Sequence, residues 1–187
     1  PKPYEKMLFP GQRVQIDVKF VPASCLVGDV KGMKFYQYTA IDEYSRYRYV
    51  EAFEEHSSYS SAIFLEHMLK AFKFPVECVQ TDNGAEFTKR LCPGKATPTM
   101  FENQLKKHGI EHKLIRPYTP RHNGKVERSH RKDNEYFYAT HKFYSFDDFA
   151  KQLKVHNYKY NKFPIRPLNW KAPIDYIKAF IDDGEIF

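Results

Sequence analysis

Residues 13–20 read RVQIDVKF, a strict alternation of polar and apolar side chains. Such alternation puts successive side chains on opposite faces of a β-strand and is typical of a strand with one buried face. We therefore predict a strand with Val14, Ile16, Val18 and Phe20 on the apolar face and Asp17 on the polar face. In that position Asp17 is either a solvated residue on the open face of an edge strand or a functional carboxylate.

The chain after this strand predicts a hairpin followed by a helix. Residues 34–41 and 46–53 are rich in tyrosine, phenylalanine and valine and flank a turn, so three antiparallel strands are expected in succession. Apolar residues then recur at helical spacing up to about Phe72. Ser57 or Ser58 supplies the N-cap that this helix needs.

A short apolar stretch, residues 76–81, predicts a fourth strand, which a helical crossover normally places parallel to its predecessors. Asp82 follows directly, at the strand end where ligands collect in open α/β sheets. Residues 90–99 contain two prolines and a glycine without periodicity and predict a surface loop. The remaining predicted elements are a helix over 100–108, a strand over 110–115, a helix over about 125–140, a helix from Ser145 to about 160 and a short helix from Pro173.

These elements together predict an α/β domain built on a five-stranded mixed sheet flanked by helices. The pattern divides the chain into an N-terminal extension over residues 1–12, a core over 13–144 and a C-terminal helical tail over 145–187. The core therefore contains every predicted strand.

The composition is that of a basic globular chain. Its 187 residues include 42% hydrophobic residues and 30 lysines and arginines against 23 acids, for a net charge of +7, which favours a polyanionic partner such as nucleic acid. Three cysteines without C-x-x-C spacing indicate neither a disulfide framework nor a cysteine zinc site, so a reducing cytoplasmic setting is expected. Apolar runs are too short for a bilayer, and no membrane partner is expected. Because the chain opens on Pro1, we expect an excerpt from a longer polypeptide.

Three acids lie on separate predicted elements in settings that suit a divalent metal ligand. Asp17 is in a strand centre, Asp82 at a strand end and Glu127 in the first turn of a helix. Magnesium prefers several hard oxygen ligands, and a pair of ions can assist both the attacking and the leaving oxygen of phosphoryl transfer. Each acid also has a simpler explanation: Asp82 opens a turn-forming Asp-Asn-Gly sequence, and the helix dipole favours Glu127. Only the three together indicate a metal site.

Three segments resemble the signatures of the DDE transposase and retroviral integrase superfamily, in the family's order. They are QIDV at 15–18, TDNGAEF at 81–87 and NGKVER at 123–128. IDEYSR at 41–46 also resembles the family's second-to-third strand turn, and residues 160–173 resemble the tail of bacterial insertion-sequence transposases. The likeness covers most of the chain.

This resemblance implies a ribonuclease H-like fold, an integrase-type catalytic core over 13–144, and an enzyme that cleaves and joins DNA strands. It implies that Asp17, Asp82 and Glu127 are the catalytic acids and bind Mg²⁺ or Mn²⁺, two ions when DNA is bound. It further implies a homo-oligomer in the active complex, DNA at the element ends and target as partner, and a bacterial host. Asp82 and Glu127 are 45 positions apart, longer than in compact family members, and the loop over 90–99 accounts for the excess.

Basic and polar residues surround the third acid and are expected to contact DNA phosphates. We rank Lys125 and Arg131 first, because they flank Glu127 along the predicted helix. The alternative is a solvated helix face. The full set of predicted DNA contacts is Arg121, His122, Asn123, Lys125, Arg128, Arg131 and Lys132.

Other acids and histidines fit a metal site less well. A hairpin turn for Asp42 and a loop hydrogen bond for Glu86 are the expected roles, so both stay outside the metal set. His108 and His112 are four residues apart, but Gly109 should end the helix between them and argues against a zinc pair. Two alternatives to a transposase stay open: a metal-dependent ribonuclease H-like nuclease, and a non-catalytic DNA-binding module derived from a transposase.

Overall fold

The computed structural model describes residues 5–92, 94, 97–116 and 123–182. Its strands are β1 Val14–Phe20, β2 Tyr36–Asp42, β3 Arg48–Phe53, β4 Cys78–Thr81 and β5 Glu111–Leu114. They form one sheet in the order β3-β2-β1-β4-β5. The β1–β2 and β2–β3 pairs are antiparallel, whereas β1–β4 and β4–β5 are parallel. The predicted five-stranded mixed sheet is therefore confirmed.

Helices cover both faces of this sheet. They are α1 Ser58–Ala71, α2 Met100–Lys107, α3 Gly124–Asp133, α4 Phe146–Lys162 and α5 Pro173–Asp182. A π-helical turn, Asn134–Tyr138, continues α3 and replaces the last turn of the single helix predicted over about 125–140. Short 3-10 turns occupy Ala23–Cys25, Gly28–Val30 and Arg166–Leu168.

Local side chains explain where three of the helices begin. The first N–H groups of a helix lack intrahelical partners, and a side-chain oxygen at the N-cap satisfies one of them. Ser57 Oγ accepts from Ser60 N at 3.1 Å ahead of α1, and Ser145 does the same ahead of α4. Thr99 and Glu102 form a reciprocal capping box at the start of α2. The serine caps expected from the sequence are therefore present.

The hairpin between β2 and β3 is longer than predicted, so β3 begins at Arg48 and not at Arg46. The Asp42 carboxylate accepts hydrogen bonds from Ser45 N at 2.7 Å and Ser45 Oγ at 2.6 Å. Arg46 has a φ of 61°, which is incompatible with a strand. Asp42 thus acts in the turn, consistent with its expected role.

One face of the sheet forms an apolar core with α1 and α2. Val14 and Ile16 of β1 are fully buried in the same cluster as Phe64 and Met68 of α1. Each such side chain contributes about 1.5–3 kcal/mol relative to exposure. The first part of the apolar face therefore directs β1 to the centre of the molecule, whereas Phe20, at the end of the strand, is 56% exposed.

The opposite face of the sheet is polar where α3 crosses it. Gln15, Gln37 and Thr39 are at most 2% exposed. His130 Nε2 lies 3.0 Å from Thr39 Oγ1, and Gln37 Nε2 donates to Asp133 at 2.8 Å. Directed hydrogen bonds thus determine where α3 sits along β1 and β2, which apolar packing alone would leave less specific.

Arg48, the first residue of β3, is fully buried and joins three elements. Its Nη1 donates to Asp133 Oδ1 at 2.8 Å and to Ser129 Oγ at 2.7 Å, both on α3. Its guanidinium and backbone also bond Asn157 and Asn161 of α4. One side chain therefore fixes α3 and α4 against the edge of the sheet.

Asp133 is the buried counter-ion of this network. Burial alone would raise the pKa of its carboxyl, but the Arg48 charge and hydrogen bonds from His156, Arg48 and Gln37 lower it well below its ordinary value. His156 Nε2, on α4, lies 2.7 Å from Asp133 Oδ1. The folded protein therefore stabilises the ionised form of Asp133.

A second apolar cluster continues from this network. It contains Phe137 of the π-helical turn, Phe149 and Leu153 of α4, and Phe35 and Val50 from the sheet side. The segment predicted as a helical tail thus contributes to a core. The boundary predicted at residue 145 stays a prediction.

We expect Arg48→Ala to lower the free energy of unfolding by about 3–5 kcal/mol, because it leaves Asp133 buried without its counter-ion. Urea unfolding at neutral pH measures this change. Lys106→Ala, on the exposed side of α2, is the control and should change stability by less than about 0.5 kcal/mol. If Arg48→Ala and Lys106→Ala lowered the free energy of unfolding equally, the Arg48–Asp133 ion pair would not have a central role in stability.

The Arg48–Asp133 ion pair also predicts how the free energy of unfolding depends on pH. Because the folded protein lowers the pKa of Asp133, its contribution is fully present above the unfolded pKa of about 3.9 and is lost as the pH falls below that value. The difference in unfolding free energy between the wild type and Asp133→Asn should therefore be constant above about pH 5 and shrink as the pH falls from about 5 to about 2. A difference that stays constant over this range would contradict the assignment.

Candidate active site

Asp17 lies in the middle of β1, paired across the sheet with Thr39 of β2. Because β1 is the central strand, the explanation of Asp17 as a solvated residue on an edge strand does not hold. Its Oδ1 accepts from Val18 N at 2.9 Å, and its Oδ2 is 3.4 Å from His130 Nδ1 on α3. The side chain keeps 23% exposure, so the carboxylate remains accessible from solvent.

Asp82 directly follows β4, the parallel neighbour of β1. Val14 pairs with Val79 and Gln15 with Gln80, and the same register extended by two residues sets Asp82 beside Asp17. Asp82 Oδ1 also accepts from Gly84 N at 2.9 Å, the turn interaction expected of Asp-Asn-Gly. Asp82 can therefore both stabilise the turn after β4 and lie next to Asp17.

Glu127 lies in the first turn of α3 and is exposed. Partial burial, followed by the charge of Asp17, raises the pKa of Glu127, while His130 and Arg131 oppose that change. Burial likewise raises the pKa of Asp82, with a further contribution from Asp17. The structure therefore brings Asp82 and Glu127 within electrostatic range of the same carboxylate.

The donor chemistry of these acids suits a hard divalent cation. Carboxylate oxygens are the ligands that Mg²⁺ and Mn²⁺ prefer, and mutual repulsion among carboxylates is relieved by a cation. Within the part of the chain that the structure describes, no three His, Cys, Asp or Glu side chains are arranged closely enough to enclose a metal ion. Asp17, Asp82 and Glu127 are therefore suitable ligands for a divalent cation, but their side chains do not surround a common point in this structure.

Gln15, two residues before Asp17 on β1, positions the start of α3. Its Oε1 accepts from Lys125 N at 3.0 Å and from Val126 N at 3.1 Å, so it caps N–H groups at the helix start. Asn123 Nδ2 also donates to Ile16 O at 3.3 Å. The strand that carries the first acid thus directly orients the helix that carries the third.

Glu43 stabilises this junction from the hairpin and was not singled out from the sequence. Its side chain is 1% exposed and accepts from Arg13 Nε at 2.7 Å and Gln15 Nε2 at 2.8 Å. Lys125 Nζ binds its other oxygen. The sequence signal was weak, because an acid next to a tight turn is normally solvated.

The predicted DNA contacts are placed in different ways. Arg128, Arg131 and Lys132 are exposed on α3, whereas Asn123 is buried and Lys125 binds Glu43 inside the protein. Arg121 and His122 lie outside the described residues. DNA contact by all seven residues stays a prediction, and Lys125 is the least accessible of those that the structure describes apart from Asn123.

The histidines that could have indicated zinc have other partners. His112 Nε2 lies 2.9 Å from Thr81 Oγ1, and His108 contacts Glu66. Burial lowers the pKa of His112. His108 and His112 therefore contact different residues, and the interpretation that they are not a zinc pair stays a prediction. Glu86 pairs with His56 at 2.8 Å.

Comparison with known families agrees with this fold and with the three motifs. A model of the integrase core domain matches residues 9–120, and a second integrase core domain model matches residues 108–173. The chain belongs to the integrase core domain family, within the DDE transposase and retroviral integrase superfamily. This family is a class of polynucleotidyl transferases.

Two relatives in sequence come from mobile or viral elements. The chain is 25% identical over 175 residues to a protein of Spiroplasma virus SpV1-C74 that is described as an integrase. That alignment covers 89% of this chain and 47% of the viral protein. A retrovirus-related Pol polyprotein from transposon RE2 of Arabidopsis thaliana is 29% identical over 93 residues, which is 49% of this chain and 6% of the polyprotein. The chain thus spans about half or less of the length of these relatives.

Solved structures show the fold independently. The catalytic core domain of BIV integrase aligns with a TM-score of 0.63 and 20% identity over 92% of this chain and 98% of that one. The HTLV-2 integrase catalytic core domain in complex with magnesium aligns with a TM-score of 0.64 and 18% identity over 90% and 97% of the two chains. The fold is therefore ribonuclease H-like, as expected. Among the described residues, no helix has the length and apolar character needed to span a membrane.

We expect Gln15→Ala to reduce the free energy of unfolding by about 1–3 kcal/mol, because two N–H groups at the start of α3 lose their acceptor. Gln152→Ala, which removes a half-buried glutamine of α4 whose amide donates to Lys142 O and Asp148 Oδ1, is the matched control for a glutamine that caps no helix and should cost less than about 1 kcal/mol. Urea unfolding compares them. Equal losses would show that Gln15 does not position α3.

Proposed function

We propose that this chain is the catalytic core of a DNA transposase or integrase that uses two divalent metal ions for phosphodiester cleavage and strand transfer. One observation carries the proposal: the register of β1 and β4 places Asp82 next to Asp17, and the helix that packs on β1 brings Glu127 in its first turn into range of the charge of Asp17. Three carboxylates from β1, the end of β4 and the start of α3 are the ligands that this chemistry requires.

Asp17, Asp82 and Glu127 would hold Mg²⁺ or Mn²⁺, which supplies Lewis acidity toward the attacking and leaving oxygens of the phosphodiester. Asp17 is rigid because it sits within the central strand, and Gln15 sets the helix start that carries Glu127. Arg131, exposed on the same helix, is suited to binding the phosphate. The protein itself needs no nucleophilic side chain for in-line transfer.

The proposed partners are DNA and further copies of this chain. The HTLV-2 core domain is described in trimeric and dimeric forms, and a simian T-cell lymphotropic virus relative of this fold is described in an intasome. Strand transfer acts on paired DNA ends, which favours a homo-oligomer as the active form. A bacterial, cytoplasmic setting stays a prediction.

A metal-dependent nuclease of the same fold is the second candidate, since hydrolysis and strand transfer use the same ligands and differ in the attacking oxygen. Water gives nicks, whereas a DNA 3′ hydroxyl gives joined strands. A non-catalytic binding module is less favoured, because all three acids are present and electrostatically coupled.

Catalysis is tested by incubating the protein with end-labelled DNA and a supercoiled target plasmid, with Mg²⁺ or with EDTA. Joined product is expected with Mg²⁺ and none with EDTA. Asp17→Asn, Asp82→Asn and Glu127→Gln should each lower the rate by more than about 100-fold, since even residues behind metal ligands cost about 10–100-fold. Glu135→Gln, an exposed acid beyond α3, is the control and should retain activity. Nicks alone would favour the nuclease, and no product with any cation would favour the binding module.

Metal binding is tested separately by thermal unfolding. In EDTA, Asp17→Asn removes the charge that raises the pKa of Asp82 and Glu127 and also the contact of Asp17 with His130, so its stability should stay close to that of the wild type. Mg²⁺ should stabilise the wild type, by about 2.7 kcal/mol at 100 times its Kd, and leave the variant unchanged. The same Mg²⁺ response in both proteins would exclude Asp17 as a ligand.

A further inference from the structure

A cavity of about 560 Å³ lies between α3 and the loop that follows α4. Its size falls within the range of small-molecule and cofactor pockets. Its lining combines residues of β1, β2 and the hairpin, of α3, of the end of α4 and of the loop that follows α4, among them Arg46, Lys125, Arg128, Lys132, Arg166 and Trp170. We call it the α3–loop groove.

The groove is strongly cationic. Five of its lining residues are lysine or arginine, and none is aspartate or glutamate. Arg128, Lys132 and Arg166 are exposed, and none of the three forms a salt bridge to any carboxylate among the residues that the structure describes. Burial lowers the pKa of Arg46, while Tyr160, Glu43 and Asp42 oppose that change. The exposed cations Arg128, Lys132 and Arg166 are therefore the ones placed to bind an anion in the groove.

Two aromatic side chains border the same groove and remain largely open to solvent. Trp170 is 69% exposed and Phe163 is 67% exposed. Other aromatic residues of the chain are as exposed, Tyr136 at 69% among them, but Trp170 and Phe163 border a cleft lined by cations. An aromatic face beside cationic groups is the combination that binds unpaired nucleotides, through base stacking and phosphate contacts.

The loop presents Trp170 in a fixed position. Trp170 N donates to Ile165 O at 3.1 Å, and Ile165 N donates to Lys171 O at 3.2 Å. Leu168 is buried and anchors the loop to the protein. Asn169 and Trp170 have φ values of 53° and 62°, a left-handed conformation that side chains other than glycine rarely adopt. The backbone accepts this conformation while leaving the indole exposed.

The groove is close to the proposed catalytic acids. Gly124 and Lys125 line it, and Glu127 follows in the same first turn of α3. A strand held in the groove would therefore run past the helix start that carries the third acid. An acidic peptide would use the cations but would have no use for the exposed indole.

We propose that the α3–loop groove binds an unpaired end of a DNA strand, with a base stacked on Trp170 and phosphates bound by Arg128 and Arg166. This inference rests on the proposed action on DNA and adds a separate binding site for single-stranded ends. The stacked base would hold the strand, and the arginines would orient its backbone along α3.

Trp170 is the single tryptophan of the chain, so its fluorescence reports directly on this groove. The titration uses the whole protein in EDTA with a single strand of about 12 nucleotides, within the usual site sizes for such binding. The single strand should quench the indole. A backbone of equal length without bases should bind about tenfold more weakly, because stacking is lost, and blunt duplex and polyglutamate should quench little.

Substitutions locate the binding, followed by the anisotropy of a labelled strand. Trp170→Ala and Arg166→Ala should each weaken binding by about fivefold or more, and Trp170→Phe should restore most of the loss. Lys106→Ala removes one exposed charge far from the groove in sequence and should change binding by less than about twofold. These residues are exposed, so the variants should fold normally, and circular dichroism checks this.

Absence of quenching would overturn the proposal. So would equal binding of the base-free backbone, the duplex or polyglutamate, or an equal loss with Lys106→Ala. If the joining reaction fails while the single strand still quenches Trp170, the proposed catalysis is contradicted and the proposed binding in the groove is supported. If joining occurs and the single strand does not quench Trp170, only the groove proposal is contradicted.

Discussion

The buried ion pair between Arg48 and Asp133 is the interaction on which the arrangement of this molecule depends. It joins β3 to α3, and the hydrogen bonds of Arg48 to Asn157 and Asn161 extend the connection to α4. A buried charge without its partner costs several kcal/mol, so α3 has little freedom to slide or rotate. Gln15, on the polar face of β1, also fixes the position of α3 along the sheet. Its Oε1 accepts from two N–H groups at the start of α3, and these hydrogen bonds form at only one position of the helix along β1.

This alignment explains how acids from distant parts of the sequence come to share one electrostatic environment. Asp17 belongs to the central strand, Asp82 to the end of the parallel strand beside it, and Glu127 to the helix that crosses above. The burial and mutual repulsion that raise the pKa values of Asp82 and Glu127 oppose folding of the ion-free protein. Such a cost is typical of a site whose ligand supplies the missing positive charge. The α3–loop groove has the opposite sign, because its exposed cations Arg128, Lys132 and Arg166 form no salt bridge among the described residues. The two surfaces share the first turn of α3.

Particular residues show why parts of the structure were predictable. The alternation in RVQIDVKF predicted β1 because a strand with one apolar face needs a period of two, and Val14 and Ile16 are indeed fully buried. The cap at Ser57 and the turn at Asp42 were predictable because both depend on neighbours within a few residues. The roles of Arg48 and Glu43 were not, since their partners lie 85 and 82 positions away and a charged residue in sequence normally indicates solvent.

The amino-acid sequence by itself determined the order and type of the strands and helices, the five-stranded mixed sheet and the three motifs of the integrase core domain family. Those features follow from periodicity, caps and short segments, which are local properties. Tertiary structure alone decided that Lys125 binds Glu43, that Gln15 caps α3, and that five cations and two exposed aromatic rings line one groove. The physical reason is that burial, pKa and charge pairing depend on which distant residues pack together, and no local pattern contains that information.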